Sequence, residues 1–253
     1  MLRLQKVGFA ILIFGGLLAV DPWIAERFFI PKIAAIALGL LILWAAESPG
    51  VKARGALVNA GALFILCAAI STIFSRDPLV SLFGLYEQPF GGLIEFILIF
   101  GVYIAASSSS LRAAPWLVHA AMVLSILAIA QSLKIAPGDI NGRAYGTMGN
   151  PVFFGAVLSG IAPVCAGEAA NGAGKSYQKR AFVVLLLVIL ATCLTRSRSA
   201  LLALSVGMGA PILFKRRRNL SAGLLVLLAG VLATFPLMGR SRGDVSRSND
   251  SRL

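Results

Sequence analysis

The fold class this sequence predicts is all-α: a polytopic transmembrane helix bundle of about nine spans with its N-terminus in the cytoplasm. Three observations carry it. Apolar residues make up 58% of the 253 residues and charged residues only 13%, too few to cover the surface of a water-soluble domain. The apolar residues fall in uncharged runs of up to roughly 20, the length that crosses about 30 Å of hydrocarbon at the helical rise. The 23 Lys and Arg residues behind the net charge of +13 gather at the ends of those runs, where membrane proteins use them to set orientation. A soluble enzyme is excluded by the first observation. The third argues against nucleic acid, since no binding module accompanies the charge.

Each span has its own justification. Met1 to Val20 carries Arg3 and Lys6 ahead of an uncharged stretch. No small-residue cleavage site follows, so it is expected as a retained helix and not a signal peptide. The second span covers about Phe28 to Ala46, with Lys32 close enough to its end to snorkel. Gly55 to Phe74, wholly uncharged, is the third. The fourth runs from about Gly91 to Ala106, the fifth from Ala113 to Leu133 and the sixth from Val152 to Gly167. Ala181 to Phe214 would make one helix about 50 Å long, with Arg196 and Arg198 stranded in hydrocarbon at roughly 2.5–3.5 kcal/mol each. A hairpin is therefore expected, with spans at Ala181–Thr195 and Ser199–Phe214 and a turn at Thr195 to Ser199. The ninth span is Ser221 to Met238. This gives a transmembrane domain over 1–238 and, over 239–253, the start of an extracytoplasmic loop or tail.

With the N-terminus inside, the inner segments hold twelve Lys and Arg, the outer loops seven and the tail after the ninth span, also outside, four; the asymmetry is moderate, and the Lys215–Arg218 cluster is the strongest inward signal. Ser107 to Ser110 reads as a polar inner turn. Cys67, Cys165 and Cys193 lie inside apolar runs without paired spacing, so they read as small core residues and neither a disulfide framework nor a zinc site is expected. His119, in the fifth span, reads as a core histidine bonded between helices.

This topology gathers Arg76, Asp77, Glu87, Arg143, Arg196 and Arg198 on the outer face, with Glu95 about a turn inside the fourth span. Arginines held just under an interface suit phosphate, because the guanidinium donates in a planar fork and stays charged; the plainer reading of each is snorkelling to lipid head groups. In the segment Ala144–Pro151, Gly146, Gly149, Asn150 and Pro151 allow a tight turn before the sixth helix. Its backbone amides are a candidate anion contact, against the plainer reading of a helix start.

Gly142-Arg143, then Gly146-Thr147-Met148-Gly149-Asn150-Pro151 and an apolar helix, together with Leu194-Thr195-Arg196-Ser197-Arg198-Ser199-Ala200-Leu201 between two later helices, resemble the O-antigen ligase and polymerase superfamily. Ser75-Arg76-Asp77-Pro78 ahead of Gly84 and Gly91-Gly92 resembles its outer loop after the third span. The resemblance implies a multi-pass enzyme of the bacterial inner membrane that moves glycan from an undecaprenyl diphosphate carrier to a lipid or protein hydroxyl acceptor on the periplasmic face. It implies no metal and no other cofactor. It assigns Arg143 and Arg198 to the lipid diphosphate; Arg196, where the family often has a neutral polar residue, joins them by its place in the turn; Arg76, Glu95, Gly149 and Asn150 are candidates for the site's loops. Val152 and Ser199 depart from the asparagine and glycine common in the family. The family continues into a large outer loop bearing a histidine that activates the acceptor, so the resemblance implies that this chain is incomplete and inactive by itself, its catalytic residues unassigned. The other function class is a non-catalytic or transport protein, in which Glu95 and the outer basic residues form a path for ions or lipid-linked anions.

Overall fold

A computed structural model describes residues 2–21, 28–46, 55–84, 92–108, 111–137, 139–140 and 142–215. Among the described residues helix dominates and strand is confined to one two-residue pair. Among the described residues four helices are long and apolar enough to cross a membrane: α4 (Ala56–Ile73), α7 (Ala114–Ser132), α8 (Pro151–Asn171) and α9 (Lys175–Leu194). The chain divides into two compact units, Met1–Trp116 and Leu117–Leu253. The ninth expected span, the Arg216–Arg218 part of the basic cluster, Glu87 and Gly91 lie outside the described residues.

In the first unit, α1 (Leu2–Ala10) passes through a π-helical turn at Ile11–Gly15 into α2 (Gly16–Leu18) and packs antiparallel on α3 (Ile30–Ala46). Absent side chains allow the contact: a β-carbon at Gly15 would lie 2.5 Å from that of Ala35, and one at Gly39 would lie 2.9 Å from the backbone nitrogen of Leu12. Lys32 does not snorkel. It is buried, and its ammonium group donates to the carbonyl of Ala19, just past the end of α2. After α4 comes α5 (Pro78–Phe83), a short helix the hydrophobic runs did not announce, and then α6 (Leu93–Ser108) packs against α3, α4 and α5. α6 ends at Ser108, so Ser107 and Ser108 are helical and not part of a turn.

The second unit is built on α8. It is joined to α9 by Gly172–Gly174, and α10 (Arg198–Lys215) packs on it as well. Ala200 lies against Gly155 at one level and Gly207 against Pro163 further along, so α10 runs parallel to α8 and antiparallel to α9. The expected break at Thr195 to Ser199 is present. Both α8 and α9 outrun their expected ends, α8 reaching Asn171 and α9 starting at Lys175, because hydropathy marks where a helix leaves the oil and not where its hydrogen bonding stops. Pro163 sits inside α8 without ending it.

Two residue readings change. Cys165 is buried as expected, but Cys67 and Cys193 are exposed on their helices, and so is His119, between buried Val118 and Ala120. All three lie in the apolar stretches of candidate membrane spans, where composition cannot tell an inward face from one turned to lipid.

Candidate functional site

The N-terminal end of α8 and the α9–α10 turn form one structure. α9 ends because Arg196 adopts the left-handed conformation, with φ of +49°, a conformation that costs a non-glycine residue roughly 1–2 kcal/mol. Ser197 then caps α10 by accepting from the backbone nitrogen of Ala200 at 3.4 Å. The turn is held from within. Thr195 has no exposed surface; its hydroxyl donates to the Thr192 carbonyl at 2.7 Å and accepts from the Ser197 nitrogen at 3.2 Å. Gly155 of α8 packs directly beneath, where a β-carbon would lie 2.5 Å from that of Ala200. The Ser159 hydroxyl shares its proton between the carbonyls of Gly155 and Ala200, each 2.7 Å away, and so ties α8 to α10.

Upon this floor sits the hairpin of β1 (Asp139–Ile140) and β2 (Arg143–Ala144). Arg143 Nε donates to the Thr195 carbonyl at 2.9 Å across 52 residues of sequence. That carbonyl lies at the C-terminal end of α9, where a cation also meets the negative end of the helix dipole. Arg196 folds back over the hairpin. A β-carbon at Gly142 would lie 3.3 Å from Arg196 Nη1, so the guanidinium reaches the residue next to Arg143; the φ of +72° at Gly142 is what favours glycine there.

The loop that follows is clamped by a residue that sequence reasoning passed over. Gln131, near the end of α7 and only 2% exposed, uses its whole side-chain amide on the loop backbone. Its oxygen accepts from the nitrogens of Tyr145 and Gly146 at 3.2 and 2.8 Å. Its nitrogen donates to the carbonyls of Pro137 and Gly146, both at 3.3 Å. A lone carboxamide at the end of an apolar run is the signal that would have found it, since such a group is costly there without partners. Asn150 caps α8 through its side-chain oxygen, 2.8 Å from the Val152 nitrogen, with Pro151 at the first helical position. The nitrogens of Tyr145, Gly146 and Met148 are all engaged within the protein. Gly149, at φ of +68°, completes the turn.

Compared with protein-family models, curated proteins and solved structures, the chain matches none.

Arg143, Arg196 and Arg198 thus share one neighbourhood, built of β2 and the α9–α10 turn. Arg143 and Arg198 are half-buried and Arg196 is exposed. Among the described residues the Arg196 guanidinium makes no hydrogen bond or ion pair. Arg198 is the first residue of α10, where its charge adds to the positive end of the helix dipole, an arrangement unfavourable for the helix and favourable for an anion. Arg76 and Glu95 belong to the first unit. Arg76 is exposed in the loop between α4 and α5, and Glu95 is half-buried in the first turn of α6. No cluster of three or more His, Cys, Asp or Glu suited to a metal occurs among the described residues.

Proposed function

We propose that this chain is an O-antigen ligase/polymerase-like glycosyltransferase of the bacterial inner membrane, with about nine spans, a cytoplasmic N-terminus and the α9–α10 turn on the periplasmic side. In this reading Arg143, Arg196 and Arg198 bind the diphosphate of an undecaprenyl diphosphate-linked glycan. The observation that carries the proposal is the meeting of two separate motifs: Arg143 bonded to Thr195, and the Arg196 side chain lying over Gly142. Guanidinium groups gathered near the N-terminus of a helix favour an anion, through both their own charge and the helix dipole.

The chemistry follows from that placement. An acceptor hydroxyl attacks the anomeric carbon, the bond from that carbon to the diphosphate oxygen breaks, the hydroxyl proton passes to a base, and the electron pair leaves with the diphosphate. Negative charge grows on that oxygen in the transition state. Fixed guanidinium donors stabilise it without reorganising, and most strongly where water is scarce.

The test is binding of undecaprenyl diphosphate to the purified chain in nanodiscs. Each guanidinium supplies charge-assisted hydrogen bonds worth roughly 1.5–3 kcal/mol, so Arg143→Ala and Arg198→Ala should each weaken binding about ten- to a hundredfold. Arg198→Lys should be nearly as damaging, because an ammonium group cannot reproduce the fork. Wild-type affinity in Arg198→Lys would refute the bidentate role. Equal affinity for undecaprenol and its diphosphate would remove the reading altogether.

A further inference from the structure

α5 leaves its largest side chains outside the protein. Leu79 is 69% exposed and Phe83 60% exposed; four residues apart, they share one face of the helix. Ser81, two residues from each, points about 200° away from Leu79 and donates to the Ser75 hydroxyl at 2.6 Å. Ser75 also accepts from the Asp77 nitrogen at 3.3 Å, and Asp77 Oδ1 caps the helix at the Val80 nitrogen. The polar atoms of this segment are therefore paired with one another, and its outer face is apolar.

That face continues another. α4 is a candidate membrane span with none of its residues buried in the protein, and its last turn ends in exposed Ile73 and in Phe74, 83% exposed. Only Ser75, Arg76 and Asp77 separate Phe74 from α5. Two large side chains on a six-residue helix are far too little surface for a stable protein interface, which buries on the order of 1,000 Å² or more. They suffice for the boundary between head groups and acyl chains, where a short amphipathic helix inserts its apolar face by a few ångströms.

We propose that α5 is an interfacial helix, with Leu79 and Phe83 seated in the outermost part of the phospholipid acyl chains and Ser75 to Asp77 at the water side. The segment then anchors the end of α4 at the membrane surface and keeps Arg76 at head-group level. This rests on the reading of α4 as a membrane span, so the experiment carries a reference position on α4.

In a background with Cys67, Cys165 and Cys193 replaced by Ala, single cysteines at Leu79, Phe83, Arg76 and Leu66 are labelled with an environment-sensitive NBD dye. The chain is reconstituted in phosphatidylcholine–phosphatidylglycerol vesicles carrying a nitroxide high or low on the acyl chain. Labels at Leu79 and Phe83 should be quenched more by the shallow nitroxide than by the deep one, and little by aqueous iodide. Leu66 should show the opposite depth preference, and Arg76 should be quenched by iodide. Both α5 positions are exposed, so either labelled variant can stand if the other fails to fold. Iodide quenching of Leu79 and Phe83 equal to that of Arg76 overturns the proposal, as does protection from both quenchers, which would mean protein covers the face. If Leu66 also escapes the deep nitroxide, the membrane reading of α4 falls with it.

Discussion

Replacing Gln131 by Leu keeps most of the volume at the end of α7 and removes every hydrogen bond its amide makes to the 137–146 backbone. Of the four groups it serves, the carbonyl of exposed Pro137 and the nitrogen of half-buried Tyr145 can turn to water. The nitrogen and carbonyl of Gly146 cannot, because Gly146 is buried. A buried polar group left unpaired costs about 1–3 kcal/mol, so the two together set an expected loss of about 2–6 kcal/mol. Gln131→Glu should fall between Leu and wild type, since it still accepts from both nitrogens but turns an acceptor toward the Gly146 carbonyl. Unfolding in mixed micelles of dodecylmaltoside and SDS, followed by far-ultraviolet circular dichroism and extrapolated to zero SDS, measures both variants. A Gln131→Leu protein within about 0.5 kcal/mol of wild type, the scatter of ordinary surface changes, would refute the view that this side chain holds the loop.

The other predictions concern the floor of the site and its side of the membrane. Gly155→Ala should destabilise by about 1–3 kcal/mol through overpacking against Ala200, and Ala200→Gly should recover much of that loss in the double variant. Gly160→Ala, on the same helix with nothing within 4 Å of its added carbon, should be neutral or stabilise by about 0.5–1 kcal/mol; the same micelle titration checks all of these. A cysteine at Ser199, which is exposed whereas Ser197 is buried, should react with an impermeant maleimide in cells stripped of their outer membrane. One at Ser176, at the opposite end of α9, should react only after permeabilisation, and equal labelling of the two would overturn the proposed sidedness.

Composition and the spacing of charges were enough to determine that the chain is helical and suited to a membrane, because the demand that every backbone group be bonded inside hydrocarbon leaves few alternatives. The break between α9 and α10 was legible from length and charge: Arg196 and Arg198 are too costly at the middle of a 34-residue apolar helix. That Arg143 and Arg198 serve one ligand was implied only by the family resemblance, and the bond from Arg143 to the Thr195 carbonyl was not foreseen, since nothing local in either segment specifies a bond across 52 residues. Lys32 and Gln131 show the limit from the other side. Each is a polar residue in or at the end of an apolar run, and sequence alone cannot tell whether such a group reaches water or finds a partner. Their partners are the carbonyl of Ala19 and the backbone of Tyr145 and Gly146. Only the packing of the helices brought those groups within reach, because a buried hydrogen bond is set by distances between segments and not by the composition of either one.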